Sequence, residues 1–172
     1  FGALSPIANG WTVVIPTPLG ARNPNVVRDW WSLVERNRVT IGGAVPTTLA
    51  AIMNVPRDGH DLSSLKCFVS GGSTVPVELI RRIEAELKVP VIEGYGMTEA
   101  SPVVGCNLFD EPPTRINPDG VLGRRVGSVG RMVPGLTARI RDPETGADLG
   151  LFKSGMLWLR GANIFEGYFK DT

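Results

Sequence analysis

Glu93-Gly94-Tyr95-Gly96-Met97-Thr98-Glu99 follows directly on Val89-Pro90-Val91-Ile92, and the reading of the chain turns on this pair of segments. Val89 to Ile92 is short, apolar and β-branched, the composition of a strand. The Gly-aromatic-Gly break after it is expected to end that strand and let backbone approach a ligand closely. In a parallel α/β sheet, ligands bind in the crevice just beyond the carboxyl ends of the strands. Tyr95 offers a flat face to a base. Thr98 supplies a neutral hydroxyl for a phosphate oxygen, and Glu99 a hard oxygen ligand suited to Mg²⁺. The same residues also describe an ordinary strand-to-helix turn with a buried tyrosine and a surface glutamate.

Working upstream, Lys66-Cys67-Phe68-Val69-Ser70 reads as a strand broken by Gly71-Gly72. Ile80, Ile83 and Leu87 line one face of a helix expected between Pro76 and Lys88, with Glu78/Arg82 and Glu84/Lys88 as solvent-facing pairs four apart. Ser70-Gly71-Gly72-Ser73-Thr74 lies between strand and helix, the context of a phosphate cradle, although no Lys follows as in a P-loop. Alternatively, these glycines bring backbone close to a flat ligand beside Tyr95. Consecutive strands tend to be neighbours, so Gly71-Gly72 and Gly94-Gly96 are expected to frame one crevice.

Nearer the start, Trp11-Thr12-Val13-Val14-Ile15 reads as a buried strand ended by Pro16 and Pro18. Asn25 is placed to cap a helix whose face carries Val26, Trp30 and Val34, widened by Val27 and Trp31. Val39-Thr40-Ile41 restarts a strand, and Val45-Pro46 introduces a short helix through Met53. Alternating strands and helices predict an α/β subdomain with a parallel sheet and flanking helices over residues 1–110.

The pattern then changes. Residues 111–120 are rich in Pro and polar side chains and read as a loop or hinge. Gly127 to Met132, Leu136 to Arg141 and Met156 to Arg160 read as short strands, with turns at Pro134-Gly135 and Asp142 to Gly146. An antiparallel, barrel-like β subdomain is expected over residues 121–172.

The 172 residues carry a net charge of +1 with 20% charged side chains, which asks for neither nucleic acid nor an acidic membrane surface. Cys67 and Cys106 lack the partners of a disulfide framework or zinc site, and Cys67 reads as a small buried hydrophobe. No apolar run reaches bilayer-spanning length and no signal peptide is recognisable, so a reducing, cytoplasmic setting is expected. His60 reads as a solvated loop residue and Arg124-Arg125 as surface charge.

The motifs together resemble the adenylate-forming (AMP-binding) superfamily, which contains acyl-CoA synthetases, peptide-synthetase adenylation domains and luciferases. Glu93 to Glu99 is similar to its adenine-and-magnesium motif, Val45-Pro46-Thr47 to its Val-Pro turn, and Ser70-Gly71-Gly72-Ser73 to its adenine-side glycine motif. Gly127-Ser128-Val129-Gly130 through Pro134-Gly135, and Arg160-Gly161 through Gly167-Tyr168, resemble later segments of the same large domain. The Gly-Tyr-Gly-Met-Thr-Glu form is similar to that of acyl-CoA synthetases, nearest to those acting on fatty acids.

The resemblance implies a two-step reaction of ATP, Mg²⁺ and coenzyme A: a carboxylate attacks the α-phosphorus of ATP, releasing pyrophosphate and leaving an acyl-adenylate, and the thiol of coenzyme A then displaces AMP to give a thioester. By the same resemblance Tyr95 stacks on adenine, Gly71, Gly72 and Ser73 border it, and Gly94 and Gly96 flank the ring. Thr98 holds the α-phosphate, Glu99 binds Mg²⁺, and Val45, Gly72, Gly94, Pro102 and Val103 lie near the carboxylate and its acyl chain. An enzyme loading a carrier protein and a non-catalytic nucleotide-binding module are the alternatives. The family's Lys-bearing phosphate loop, its ribose-binding Asp and its C-terminal catalytic Lys are not in this sequence, and Leu149 to Gly155 replaces its usual acidic Gly-Glu stretch. The chain is therefore expected to be an internal piece of a large domain, inactive alone and prone to self-associate through exposed edges.

Overall fold

A computed structural model describes residues 4–57, 59–111 and 122–169. All of the expected 111–120 loop except Glu111 lies outside the described residues. A short helix α1 (Leu4–Ala8) opens the chain. Trp11 to Ile15 is not the expected buried strand: it forms no ladder, with Trp11 58% and Ile15 69% exposed. A strand earns its burial from a neighbour, and none of the described strands lies alongside this segment.

The next helix begins two residues earlier than expected. Asn23, not Asn25, is the cap: its side chain accepts the Asn25 N–H at 3.0 Å, and Pro24 occupies the first helical position, where a missing N–H costs nothing. Helix α2 (Pro24–Arg28) gives way at Asp29 to α3 (Trp30–Asn37). Val26, Trp31 and Val34 are buried, while Val27 and Trp30 pack partly. Trp31 Nε1 donates to the Val55 carbonyl at 3.0 Å. Arg38, left-handed at φ 47°, closes α3, and the Val39 N–H is used on Val34 O, so β1 (Ile41–Gly43) starts later than Val39.

Helix α4 (Pro46–Ile52), strand β2 (Cys67–Ser70) and helix α5 (Val77–Leu87) follow the expected pattern. The two expected ion pairs on α5 are absent. Arg82 instead binds Glu86, Asn54 Oδ1 and the Met53 carbonyl, and Glu84 binds Arg124 and the Val91 N–H. Arg82 thus pairs with the following turn of its own helix and with the segment after α4, while Glu84 is drawn off the helix altogether.

Strand β3 (Val91–Gly96) runs through the glycines that were expected to end it. The reason is β4 (Val103–Cys106), which folds back antiparallel with Gly94 opposite Cys106, Tyr95 opposite Gly105 and Gly96 opposite Val103. Antiparallel pairing thus begins within the span read as purely parallel. The first sheet has the order β1-β2-β3-β4-β5, parallel from β1 to β3 and antiparallel onward to β5 (Arg131–Met132). β5 is shorter than expected because Gly127 and Gly130, at φ 79° and 82°, turn the chain ahead of it. Strands β6 (Leu136–Arg141) and β7 (Met156–Gly161) form a separate two-stranded antiparallel sheet.

One core lies between the parallel strands and the helices, built on Trp31, Leu49, Ile52, Phe68, Ile80 and Ile83. Full burial of a side chain such as Phe68 contributes about 1.5–3 kcal/mol. Cys67 is buried at its edge. A second core of Ala100, Val104 and Leu136, with Met97, Val133, Leu159 and Ile164 against it, joins the segment after β3 to the β6–β7 sheet. Among the described residues no helix is long and apolar enough to cross a membrane.

Candidate functional site

The parallel pairing of β2 with β3 sets Ser70 opposite Glu93, so the residues that follow each also run side by side. A β-carbon built on Gly71 would lie 2.8 Å from the Gly94 carbonyl oxygen, a separation only glycine permits. Ser70 Oγ donates to the Ala44 carbonyl at 2.9 Å and pins the turn that carries Val45. Gly72, at φ 85°, has Val45 Cγ1 3.7 Å from where its β-carbon would stand. Val45, Gly71 and Gly72, just past the carboxyl ends of β1 and β2, therefore meet Gly94 within β3, and exposed Ser73 leads away toward α5.

Tyr95 lies opposite Gly105, which has no side chain to cover the ring, and remains 36% exposed with its hydroxyl 4.0 Å from Met97 Sδ. The chain then tightens. Met97 N–H donates to the Pro102 carbonyl at 2.8 Å, and Thr98–Ala100 forms one 3₁₀ turn ending at Ser101, with a cis bond to Pro102. Thr98 and Pro102 are exposed, while Glu99 and Val103 are partly covered.

The two carboxylates of the motif have opposite surroundings. Glu93 is 5% exposed, its Oε2 accepting the Gly127 N–H at 3.2 Å, and burial pushes its pKa upward. With Asn107, which donates to the Ser128 carbonyl and accepts from the Arg125 N–H, it holds the 125–128 backbone against the sheet. Glu99 is held below the usual glutamate range by its own backbone N–H and by the Tyr168 hydroxyl, which donates to Oε1 at 2.7 Å. Glu99 is accordingly the acid of the pair whose charged form its surroundings favour. Phe165 N–H donates to the Glu99 carbonyl at 3.0 Å, and Asn163 Nδ2 donates to the carbonyls of Ala100 (2.7 Å) and Val103 (3.2 Å).

No group of three or more His, Cys, Asp or Glu residues suited to a metal occurs among the described residues. One ionised, accessible carboxylate beside the Thr98 hydroxyl fits the way Mg²⁺ is commonly held, by one or two carboxylates plus the oxygens of a substrate phosphate. A cavity of about 240 Å³ opens there, lined by Tyr95, Met97, Glu99, Leu157, Leu159 and Ile164. Val103 faces a different cavity, of about 270 Å³, with Ser101, Val133, Pro134 and Asn163. Of the expected residues, then, Val45, Gly71, Gly72 and Gly94 form one cluster, Tyr95 and Glu99 line one cavity, and Val103 another.

Tyr168, Phe165 and Asn163 were not singled out by sequence reasoning as site residues, since no local signal ties them to Glu99. His60 is less free than expected: its Nδ1 lies 2.6 Å from Glu35 Oε2. Arg124 is ion-paired with Glu84 and Asp110.

Residues 1–169 match the family described as AMP-binding enzyme. The chain is 31% identical over 169 residues to 4-coumarate–CoA ligase-like 2 of Arabidopsis thaliana, an alignment covering 96% of this chain and 27% of that protein. Among solved structures, an anthranilate CoA ligase in complex with anthranoyl-AMP superposes with a TM-score of 0.68 at 28% identity, covering 86% of this chain and 26% of that one. A long-chain-fatty-acid–CoA ligase from Archaeoglobus fulgidus superposes with a TM-score of 0.68 at 28% identity, covering 84% of this chain and 29% of that one. The chain spans about a quarter of the length of the Arabidopsis relative and of the anthranilate CoA ligase.

Proposed function

Since the chain belongs to the AMP-binding enzyme family, we propose that it carries part of the active site of an ATP-dependent acyl-CoA ligase, which activates a carboxylic acid as an acyl-adenylate and passes it to coenzyme A. The observation that carries this reading is the close approach of Gly71, just past the end of β2, to Gly94 within β3, beside the partly exposed ring of Tyr95. In this reading residues 1–110 and 121–172 belong to two subdomains that share the second core.

Tyr95 offers its face to adenine, with Gly71, Gly72 and Ser73 along one edge of the base and Gly94 and Gly96 flanking the ring. Thr98 donates its hydroxyl to the α-phosphate, which draws charge away from the phosphorus under attack. Glu99 holds Mg²⁺, which when bound neutralises phosphate charge. Val45, Gly72, Gly94, Pro102 and Val103 border the acyl group. No residue here bonds covalently to substrate, in keeping with a transfer at phosphorus that depends on positioning and electrostatic stabilisation. The thiol of coenzyme A then attacks the acyl carbon, and AMP leaves with the electron pair.

The finer assignment is a fatty acid, supported by the form of the Glu93 to Glu99 motif and by the fatty-acid ligase among its structural relatives. Aromatic acids are the second reading, supported by the relatives named for 4-coumarate and anthranilate. The test is carboxylate-dependent ATP–pyrophosphate exchange by the protein expressed from its complete reading frame, with fatty and aromatic acids compared. Exchange with one class and thioester formation on coenzyme A are expected. Absence of exchange with every carboxylate overturns the ligase reading, and transfer only to a carrier-protein thiol overturns the acceptor.

A further inference from the structure

The segment after β7 returns to the Glu93 to Glu99 motif and grips it at several points. Phe165 N–H takes the Glu99 carbonyl, Asn163 takes the carbonyls of Ala100 and Val103, and the Tyr168 hydroxyl takes Glu99 Oε1 at 2.7 Å. The Tyr168 ring is itself set by Phe165, edge to face, with centroids 4.9 Å apart and planes at 84°. A partly covered glutamate such as Glu99 still has three side-chain torsions to lose before it can present an oxygen in one place. A ring oriented by a neighbour, with a hydroxyl on one carboxylate oxygen, removes most of that freedom in advance.

We propose that Tyr168 is a positioning residue for the Glu99 carboxylate, fixing its rotamer so that it meets the divalent cation of a nucleotide–metal complex without reorganisation. The inference rests on the reading of Glu99 as the metal-binding acid given above. Groups that orient a metal ligand through a hydrogen bond commonly govern affinity as strongly as minor ligands do, so losing one weakens metal binding about tenfold or more. Tyr168→Phe keeps the ring against Phe165 and deletes only the hydroxyl.

The experiment titrates Mn²⁺ by paramagnetic resonance into the protein from its complete reading frame, saturated with α,β-methylene-ATP, for wild type, Tyr168→Phe, Glu99→Gln and the double variant. Affinity for the same nucleotide is measured separately in EDTA. Tyr168→Phe is expected to weaken Mn²⁺ about tenfold and leave metal-free nucleotide affinity unchanged, with no further loss in the double variant beyond Glu99→Gln. Wild-type Mn²⁺ affinity in Tyr168→Phe beside a loss in Glu99→Gln overturns the role of Tyr168 alone. Equal loss of nucleotide affinity with and without metal, or additive losses in the double variant, also overturns it. Unchanged Mn²⁺ affinity in Glu99→Gln overturns the metal assignment of Glu99 itself.

Discussion

Gly71 passes so close to Gly94 that a β-carbon added to the first would lie 2.8 Å from the carbonyl oxygen of the second. This contact joins the end of β2 to the middle of β3, 23 positions further along the sequence, and makes the crevice a property of the β2–β3 pairing.

Gly71→Ala is therefore expected to destabilise the fold by about 1–3 kcal/mol, the usual range for forcing an extra carbon into a packed site. Gly96→Ala should cost more, because its β-carbon would stand 2.1 Å from the Pro102 carbonyl oxygen and neither partner is a side chain that can swing away. Urea unfolding followed by tryptophan fluorescence gives both values. A Gly71→Ala midpoint equal to wild type would show that the strand ends are farther apart than described.

Glu93 sets a pH dependence of definite sign. Burial raises its pKa in the folded chain, so its contribution to stability is fully present below the ordinary glutamate value, about 4.3, and is lost as pH rises through the folded value. Glu93→Gln keeps an oxygen for the Gly127 N–H and removes the buried charge. Its melting temperature should match wild type near pH 4 and exceed it at pH 7. A pH-independent difference, or a less stable variant at pH 7, would refute the assignment.

Phe152 stands wholly exposed at φ 61° beside Leu151, which is 84% exposed. Left-handed backbone costs a bulky residue about 1–2 kcal/mol, whereas asparagine tolerates it. Together with the open edge of β1, this apolar tip should drive self-association of the 172-residue chain. Phe152→Asn is expected to be at least as stable as wild type and to lower the concentration-dependent mass seen by light scattering. A monomeric wild-type mass at every concentration would reject the idea.

What could be read from sequence was whatever depends on near neighbours. The start of α4 at Pro46, the apolar face of α5, the body of β2 and the β6 and β7 strands follow from signals within a single element. The adjacency of Gly71 and Gly94 followed from one further rule, that consecutive strands pair. Trp11 to Ile15 failed because apolar β-branched composition shows fitness for burial, not the presence of a neighbouring strand. β3 was cut short because glycine looks like an ending until β4 returns beside it. The hold of Tyr168 on Glu99 spans 69 residues and depends on where β7 delivers the chain, which no local pattern encodes.

Glu93 to Gly96 of the motif is strand, with Glu93 paired to β2 and Gly94, Tyr95 and Gly96 paired to β4. Amide hydrogens bonded within this ladder should exchange through opening of a cooperative unit of the fold. A partner arriving at Tyr95 thus meets a surface already frozen into shape. Little of the binding free energy is then diverted to ordering backbone, and recognition at this strand should be fast and stiff, in the manner of a preformed template.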